Sequence, residues 1–272
     1  MNLLNIISLR RIGSSIPISI QYQAVLDRAI TEGFDLPSSD DQQKQNALMI
    51  DLVDSGVFQK AKTLTIFSGS NSNFSRIDWA DTTNVYESVN SPIYNSVTGF
   101  EFDGFTNNLN TNSFIIDNIN LVNNHGVSVN QSGLVANGSN QMMFGYRDGF
   151  SGSDVNVRQG LNTGGAIQGA FGSSSALTSL GGSYVDNSNY YTTRNQSELI
   201  SSYEGLTLLT STQDVLLNNV NNIDTKLVIG GASNLDKSVV WRSNCKIKHF
   251  IYAEDMDSDL ATWEEALNKY YL

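Results

Sequence analysis

Lys226-Leu-Val-Ile-Gly-Gly-Ala-Ser233, Cys245-Lys-Ile-Lys-His-Phe-Ile-Tyr-Ala253 and the closing segment Asp257 to Leu272 are the stretches that decide the fold. The first two read as strands. Along the second, strict alternation places Cys245, Ile247, His249 and Ile251 on one face and Lys246, Lys248, Phe250 and Tyr252 on the other. In the third, Leu260, Trp263, Leu267 and Tyr270 recur at helical spacing, and Asp257 or Ser258 is placed to cap the first turn. The chain therefore closes with two strands and a short amphipathic helix.

Working outward, the period-2 pattern extends far upstream. Leu64-Thr-Ile-Phe, Val97-Thr-Gly-Phe-Glu-Phe, Ser113-Phe-Ile-Ile-Asp, Gly126-Val-Ser-Val, Gln141-Met-Met-Phe-Gly-Tyr, Val155-Asn-Val, Leu206-Thr-Leu-Leu and Leu227-Val-Ile are short strand candidates. Gly-, Asn- and Ser-rich turns separate them, and Gly160 to Gly182 is nearly all small residues. That punctuation predicts a sandwich or jelly roll, and no fixed-period repeat argues for a solenoid or propeller.

Before this β region the pattern is helical. Residues 22–33 place Tyr22, Leu26, Ala29 and Ile30 on one stripe with Gly33 as a stop. A second helix is expected from Ser39 to Ser55. Ser38, Ser39, Asp40 and Asp41 stand at its positive end, Ala47, Leu48, Leu52 and Val53 form its apolar side, and Gly56 ends it. A hairpin this small cannot hold a core alone, so it must pack on a neighbour. Residues 1–20 are Ile-rich and fit either an arm on the protein's own body or an anchor inserted into another subunit. The expected organisation is an N-terminal arm over 1–20, a two-helix adaptor over 21–61 and a jelly roll with its terminal helix over 62–272.

Composition narrows the function. The chain has 272 residues, 40% of them apolar, with 22 Gly, 3 Pro and a formal charge of −11. The aromatic content argues against disorder, and so acidic a surface repels phosphate backbones, so nucleic-acid binding is not expected. The adjacent basic pair is Arg10-Arg11. No stretch approaches the roughly 20 apolar residues of a membrane span. The first residues do not read as a secretory signal, because their charges follow the apolar stretch and Asn5 and Ser8 interrupt it. The single cysteine, Cys245, permits no internal disulfide and is expected to be buried and inert. His125 and His249 lack partners at metal-ligand spacing, and His249 is expected to pack or hydrogen-bond inside the sheet.

Beyond the C-terminus, two further stretches carry a resemblance. Leu36-Pro-Ser-Ser-Asp and Gln45-Asn-Ala-Leu-Met-Ile-Asp-Leu-Val-Asp-Ser-Gly56-Val-Phe-Gln-Lys60 resemble the helical pair that precedes the jelly roll in many phage tail and virion proteins. Thr98-Gly-Phe-Glu-Phe-Asp-Gly104-Phe-Thr-Asn-Asn-Leu resembles the strand-turn-strand that opens a concanavalin A-like (laminin G-like) sandwich. The resemblance spans roughly residues 22–272 and is one of pattern. It implies a mainly β protein: a concanavalin A-like jelly roll preceded by a short helical hairpin and closed by a C-terminal helix. It also implies a virion surface component, a head or tail fibre or similar appendage, usually a homotrimer. Attachment to capsid or tail would run through Leu3, Leu4, Ile6, Ile7, Leu9, Arg10, Arg11 and Ile12.

The expected role is that of a non-enzymatic virion structural protein, with a host-glycan or receptor-binding adhesin on the same scaffold as the alternative. Glu101 and Asp103 begin the alternate-carboxylate pattern of jelly-roll glycosidases, but no second Glu follows on that strand, and a strand entering an Asp-Gly turn explains the pair. No Gly-x-Ser-x-Gly elbow stands in a strand-to-helix context, and the Gly-rich stretch lacks a phosphate-loop Lys. The chain is accordingly expected not to be an enzyme, with a polysaccharide depolymerase as the remote alternative. Calcium stays open through Asp103, Asn107, Asn108, Asp148, Asp154 and Asp186, although these match no EF-hand spacing and no cofactor is otherwise expected. For a host glycan, the candidate contacts are Tyr146 and Arg147 in one stretch and Tyr190, Tyr191 and Arg194 in another, since sugar rings stack on exposed aromatics beside polar groups. The same tyrosines also suit covering a sheet face or a subunit contact.

Overall fold

The structure, a computed structural model, describes residues 17–111, 124–134, 141–147, 156–161, 167–173, 178–180, 185–195, 199–213, 227–233, 239–240 and 242–272. The N-terminal attachment residues, Leu3 to Ile12, and Asp148 and Asp154 of the calcium set lie outside them.

Two sheets face each other. The eight-stranded one runs, in pairing order, Thr207–Gln213, Leu199–Glu204, Ser188–Arg194, His125–Ser132, Lys246–Glu254, Gly99–Glu101 and Ile93–Asn95, with Ala61–Ile66 also on Lys246–Glu254. The nine-stranded one runs Thr178–Leu180, Ile167–Ser173, Asn156–Leu161, Gln141–Arg147, Val228–Ile229, Asn108–Asn110 and Glu87–Val89, with Ala232–Ser233 and Val239–Val240 off this path. Almost every pairing is antiparallel, which suits short strands joined by Gly- and Asn-rich turns. The expected β-sandwich with a helical hairpin before it and a helix after it is what forms.

Three helices clad the outer face of the eight-stranded sheet. Helix α1 (Ile20–Glu32) starts where the Ser19 hydroxyl accepts from the Tyr22 N–H and stops at Gly33, whose φ of 71° reverses the chain. Helix α2 (Ser39–Asp54) starts where Ser38 accepts from the Asp41 N–H, with Asp40 and Asp41 at the positive end of the dipole. Tyr22 Oη donates to Gln45 Oε1 at 2.6 Å, and Asn46 holds both the Ser19 N–H and the Pro17 carbonyl, so the two helices are clasped by polar contacts as well as packing. Helix α3 (Met256–Tyr271) has Asp255 at its cap in a left-handed conformation with no side-chain capping bond. The expected caps serve otherwise. Asp257 accepts from Thr193 and Tyr203 and ties the helix to the sheet, while Ser258 donates back to the Asp255 carbonyl.

The apolar stripes mostly follow their spacing. Tyr22, Val25, Leu26 and Ala29 of α1, Leu48, Met49 and Leu52 of α2, and Met256, Leu260, Trp263, Ala266 and Leu267 of α3 are buried together against Leu64, Ile66, Tyr191, Ile251 and Ala253. Ile30, expected on the α1 stripe, is 59% exposed because Val25 takes the inward position instead. The helix pair shares a core with α3 and the sheet, which are the neighbour so small a hairpin needs. A second core lies between the sheets. Phe67, Phe100, Phe102, Val127, Val129, Phe144, Tyr190, Ile247, Phe250 and Tyr252 fill it, and the Phe144 and Phe250 rings meet across the gap at 5.3 Å.

The strand Lys246–Glu254 separates these two cores, and it corrects the alternation expected from sequence. Its pairing with His125–Ser132 slips between Ile247 and His249, so Lys248 is an extra residue in a β-bulge. Cys245 and Ile247 face the inter-sheet core, and after the bulge Phe250 and Tyr252 do so as well, while Ile251 and Ala253 face the helices. His249 takes the helical side too, hydrogen-bonded to Ser128 and Tyr271. The Lys248 carbonyl freed by the bulge accepts from the Phe67 and Ser68 N–H groups. Gly99 makes the bulge possible: its φ is 76°, and a Cβ there would overlap the Ile247 carbonyl.

Candidate functional site

A cleft of about 250 Å³ opens where α3 crosses the ends of two strands of the eight-stranded sheet. Asn187, Ser188, Asn189, Glu204, Gly205, Glu264 and Asn268 line it. Local folding accounts for each wall. Trp263 and Leu267 of α3 point into the core, so Glu264 and Asn268, one position further along, stand on the flank that meets the strands. Asn187 adopts a φ of 62°, which Asn tolerates, and its N–H donates to the Gln131 carbonyl to start the strand Ser188–Arg194. Gly205 turns the hairpin at a φ of 52° and donates to the Asn189 carbonyl. A Cβ on Gly205 would meet Glu264 Oε1 at 3.1 Å, so a side chain there would displace the carboxylate as well as strain the positive-φ turn.

Polar groups are held in place around this space. Glu264 Oε2 accepts from Asn189 Nδ2 at 2.8 Å and from Tyr191 Oη at 2.6 Å, and its Oε1 accepts from Asn268 Nδ2 at 3.1 Å. Glu204 Oε1 accepts from Ser188 Oγ at 3.0 Å. Asn189 Oδ1 in turn accepts from Asn130 Nδ2 at 2.8 Å. Burial, reinforced by the neighbouring Glu264 charge, keeps the Tyr191 hydroxyl protonated far above the usual range, so it acts as a fixed donor. Leu206 and Leu208, on the hairpin beyond Gly205, are 59% and 53% exposed and give this end of the sheet an apolar margin. The arrangement can recognise hydroxyl and amide groups of a small polar ligand, with orientation set by side chains that are themselves braced.

The residues expected to bind sugar are elsewhere in the fold. Tyr190 is buried between the sheets, its hydroxyl bonded to both the N–H and the carbonyl of Val185, and burial pushes it up to about 12. Tyr191 is buried under the helices, and Arg194 is fully buried on the face of the strand that carries Tyr190. None of the three presents a ring or guanidinium to solvent, so the stacking role is corrected: this strand has a core on each side. Tyr146 and Arg147 lie on the strand Gln141–Arg147. The site stands directly before the tyrosine pair, in Asn187-Ser188-Asn189, and its partner residues are distant in sequence. The polar flank of the terminal helix, Glu264 and Asn268, was the one readable signal.

Other sequence candidates take structural roles. Asp103 carries two opposing influences. Burial raises its pKa, but hydrogen bonds from the Thr106 hydroxyl and the Phe105, Thr106 and Asn107 N–H groups outweigh it and hold the carboxylate well below the usual range. Its oxygens are thus committed to the Asp-Gly turn. Asp186 accepts from the Gly133 N–H. Among the described residues no three His, Cys, Asp or Glu side chains gather as metal ligands, and no helix is long and apolar enough to cross a membrane. Cys245 is buried beside the Ser243 hydroxyl, and burial pushes its thiol up to about 12, so it is a packed group without thiolate character.

Comparison with known proteins finds no matching family model and no matching curated protein. Solved structures do match. A mutant of Trypanosoma rangeli sialidase displaying trans-sialidase activity aligns with 91% of this chain and 39% of its own, at 11% identity and a TM-score of 0.56. The Trypanosoma rangeli sialidase in complex with sialic acid aligns over 78% of this chain and 33% of its own, at 10% identity and a TM-score of 0.56. A botulinum neurotoxin type C structure, described as dependent for cell entry on two ganglioside molecules, aligns over 79% and 53%, at 10% identity and a TM-score of 0.55. The likeness is one of fold. The chain spans about a third to a half of these structures' own length. The expectation that the chain is not an enzyme is overturned here, because solved sialidases contain this fold and the lack of a familiar motif no longer argues against catalysis.

Proposed function

We propose that this chain is a glycan-binding β-sandwich displayed on a phage virion surface. The observation that carries the binding part is the cleft at α3, where amides, a hydroxyl and carboxylates converge with their side chains braced. Sugars expose the complementary chemistry: closely spaced hydroxyls that need oriented partners, and a C–H face that suits the apolar margin of Leu206 and Leu208. The fold likeness supports this reading, since one of the similar structures belongs to a toxin described as ganglioside-dependent. The virion part rests on the sequence pattern over residues 22–272. In it, residues 1–20 attach the chain to a capsid or tail protein, and Arg10 and Arg11 offer positive charge in an otherwise acidic chain.

A glycan array probed with the full chain tests the binding part. Signal on a defined set of glycans that falls at least tenfold in Asn268→Ala, with an unchanged melting temperature, supports it. Absence of signal on every glycan removes it. Immunogold labelling of intact particles tests the virion part, which falls if particles carry no label.

A further inference from the structure

Resting on that glycan-binding reading, we infer that the cleft at α3 selects neutral sugars and rejects carboxylated ones such as sialic acid. Glu204 and Glu264 both line it, and the remaining lining residues are Asn187, Ser188, Asn189, Gly205 and Asn268, with no Lys or Arg among them. The two carboxylates are stabilised by hydroxyl and amide donors, not by a cation. Glu264 takes Asn189 and Tyr191 on one oxygen and Asn268 on the other. Glu204 takes Ser188 on Oε1, which leaves Oε2 as an open acceptor at the cleft.

A sugar hydroxyl donates to such an oxygen and gains a charge-assisted bond. A sugar carboxylate has no proton to donate and brings a third negative charge within the Debye length of about 8 Å at physiological salt, where screening is weak. Recognition of an anionic sugar calls for a guanidinium or ammonium, and this cleft supplies neither. The chain's net charge of −11 repels the same ligands at longer range. The selectivity is therefore opposite to what the sialic acid in a fold-related structure would suggest.

Isothermal titration of the full chain with a neutral galactose-terminated oligosaccharide, and with the same oligosaccharide capped by sialic acid, tests this. The expected result is at least tenfold weaker binding of the capped form. Two substitutions that introduce a cation should narrow that gap. Glu204→Lys places a cation at the open acceptor, and Asn268→Lys does so on the exposed side of α3, where pairing four residues on from Glu264 favours the helix. Equal or tighter binding of the sialylated form by the unaltered chain overturns the selectivity while leaving the glycan-binding reading intact. A gap that neither substitution changes, in variants with unchanged melting temperatures, also overturns it, because recognition would then lie outside this cleft. Failure of the unaltered chain to bind any glycan on the array removes the underlying reading, and the selectivity with it.

Discussion

His249 is enclosed completely, with Nε2 2.9 Å from Ser128 Oγ, Nδ1 2.8 Å from Tyr271 Oη and the ring stacked on Tyr271. Burial, helped by the Lys248 charge, pushes its pKa down to about 3. His125 stacks on Tyr252, and burial outweighs the nearby Glu254 to bring it down to about 4. Both rings stay neutral in the folded chain at pH values where the unfolded chain protonates them. Their contribution is therefore complete above about pH 6.5 and is lost as the pH falls toward their folded values. Asp78 works the other way. Burial outweighs the bonds it accepts from Leu64, Thr63, Ala80 and Asp81, and raises it to about 6, so its contribution is complete below the unfolded carboxylate value and is lost as the pH rises through 6. Near pH 5 the unfolded chain thus holds two extra protons on histidine and the folded chain one on Asp78. Urea titrations should show stability falling on acidification by about 1.4 kcal/mol per pH unit there, and by about twice that in Asp78→Asn, which removes the opposing group. An identical slope in the variant would mean that Asp78 does not titrate in this window. Sequence alone placed His249 inside the sheet but gave no sign of the buried carboxylate, because Asp78 sits in a loop and its carboxylate is enclosed by donors from the separate strand Ala61–Ile66.

Among the elements, helices were legible and strand phase was not. Ser38 and Gly33 announce helix ends through bonds made within a few residues, so local sequence suffices there, whereas the Ser19 cap falls within the stretch read as an arm. The α3 stripe was equally local, and its prediction is direct: Trp263 is fully buried among the helices and the sheet, so Trp263→Ala should cost about 3–5 kcal/mol, read as a lower urea midpoint. A melting curve like that of the unaltered chain would mean that α3 does not dock on the sheet. The strand Lys246–Glu254 shows why alternation misleads. A single inserted residue exchanges the two faces, and nothing in Cys245-Lys-Ile-Lys-His-Phe-Ile-Tyr says which residue is the extra one, since the bulge is fixed by partners on His125–Ser132 and at Gly99. Gly99→Ala should accordingly destabilise by about 2–4 kcal/mol, combining left-handed strain with the overlap at Ile247. A loss below about 0.5 kcal/mol would show that the bulge relaxes freely. The candidate site was hidden for a related reason: its walls come from a strand start, a hairpin turn 16 residues on and a helix 75 residues on, brought together by packing and not by any spacing.

For the whole molecule, the cladding of one sheet by α1, α2 and α3 sets where a truncation can fall. Pro17 and Ser19 are held by Asn46, and Ser19 caps α1, so removal of residues 1–20 should lower the midpoint of thermal unfolding, whereas a shorter truncation of 1–16 spares these contacts. If attachment resides in the arm, the shorter truncation should also abolish incorporation into particles, and normal occupancy would move attachment to another surface. The homotrimer expected from the phage resemblance can be read by light scattering on the full chain, where a 29.8 kDa species at micromolar concentration would argue against it. The strand Lys246–Glu254 has one further consequence, in time instead of space. It pairs with Ala61–Ile66, Gly99–Glu101 and His125–Ser132 and stands between both cores, yet it follows all three partners in the chain. On the ribosome, these three partner strands must wait for it with an edge unpaired. Completion of the fold is therefore a late event that follows emergence of residue 254, and a nascent chain stalled before that point is the species most in need of a chaperone.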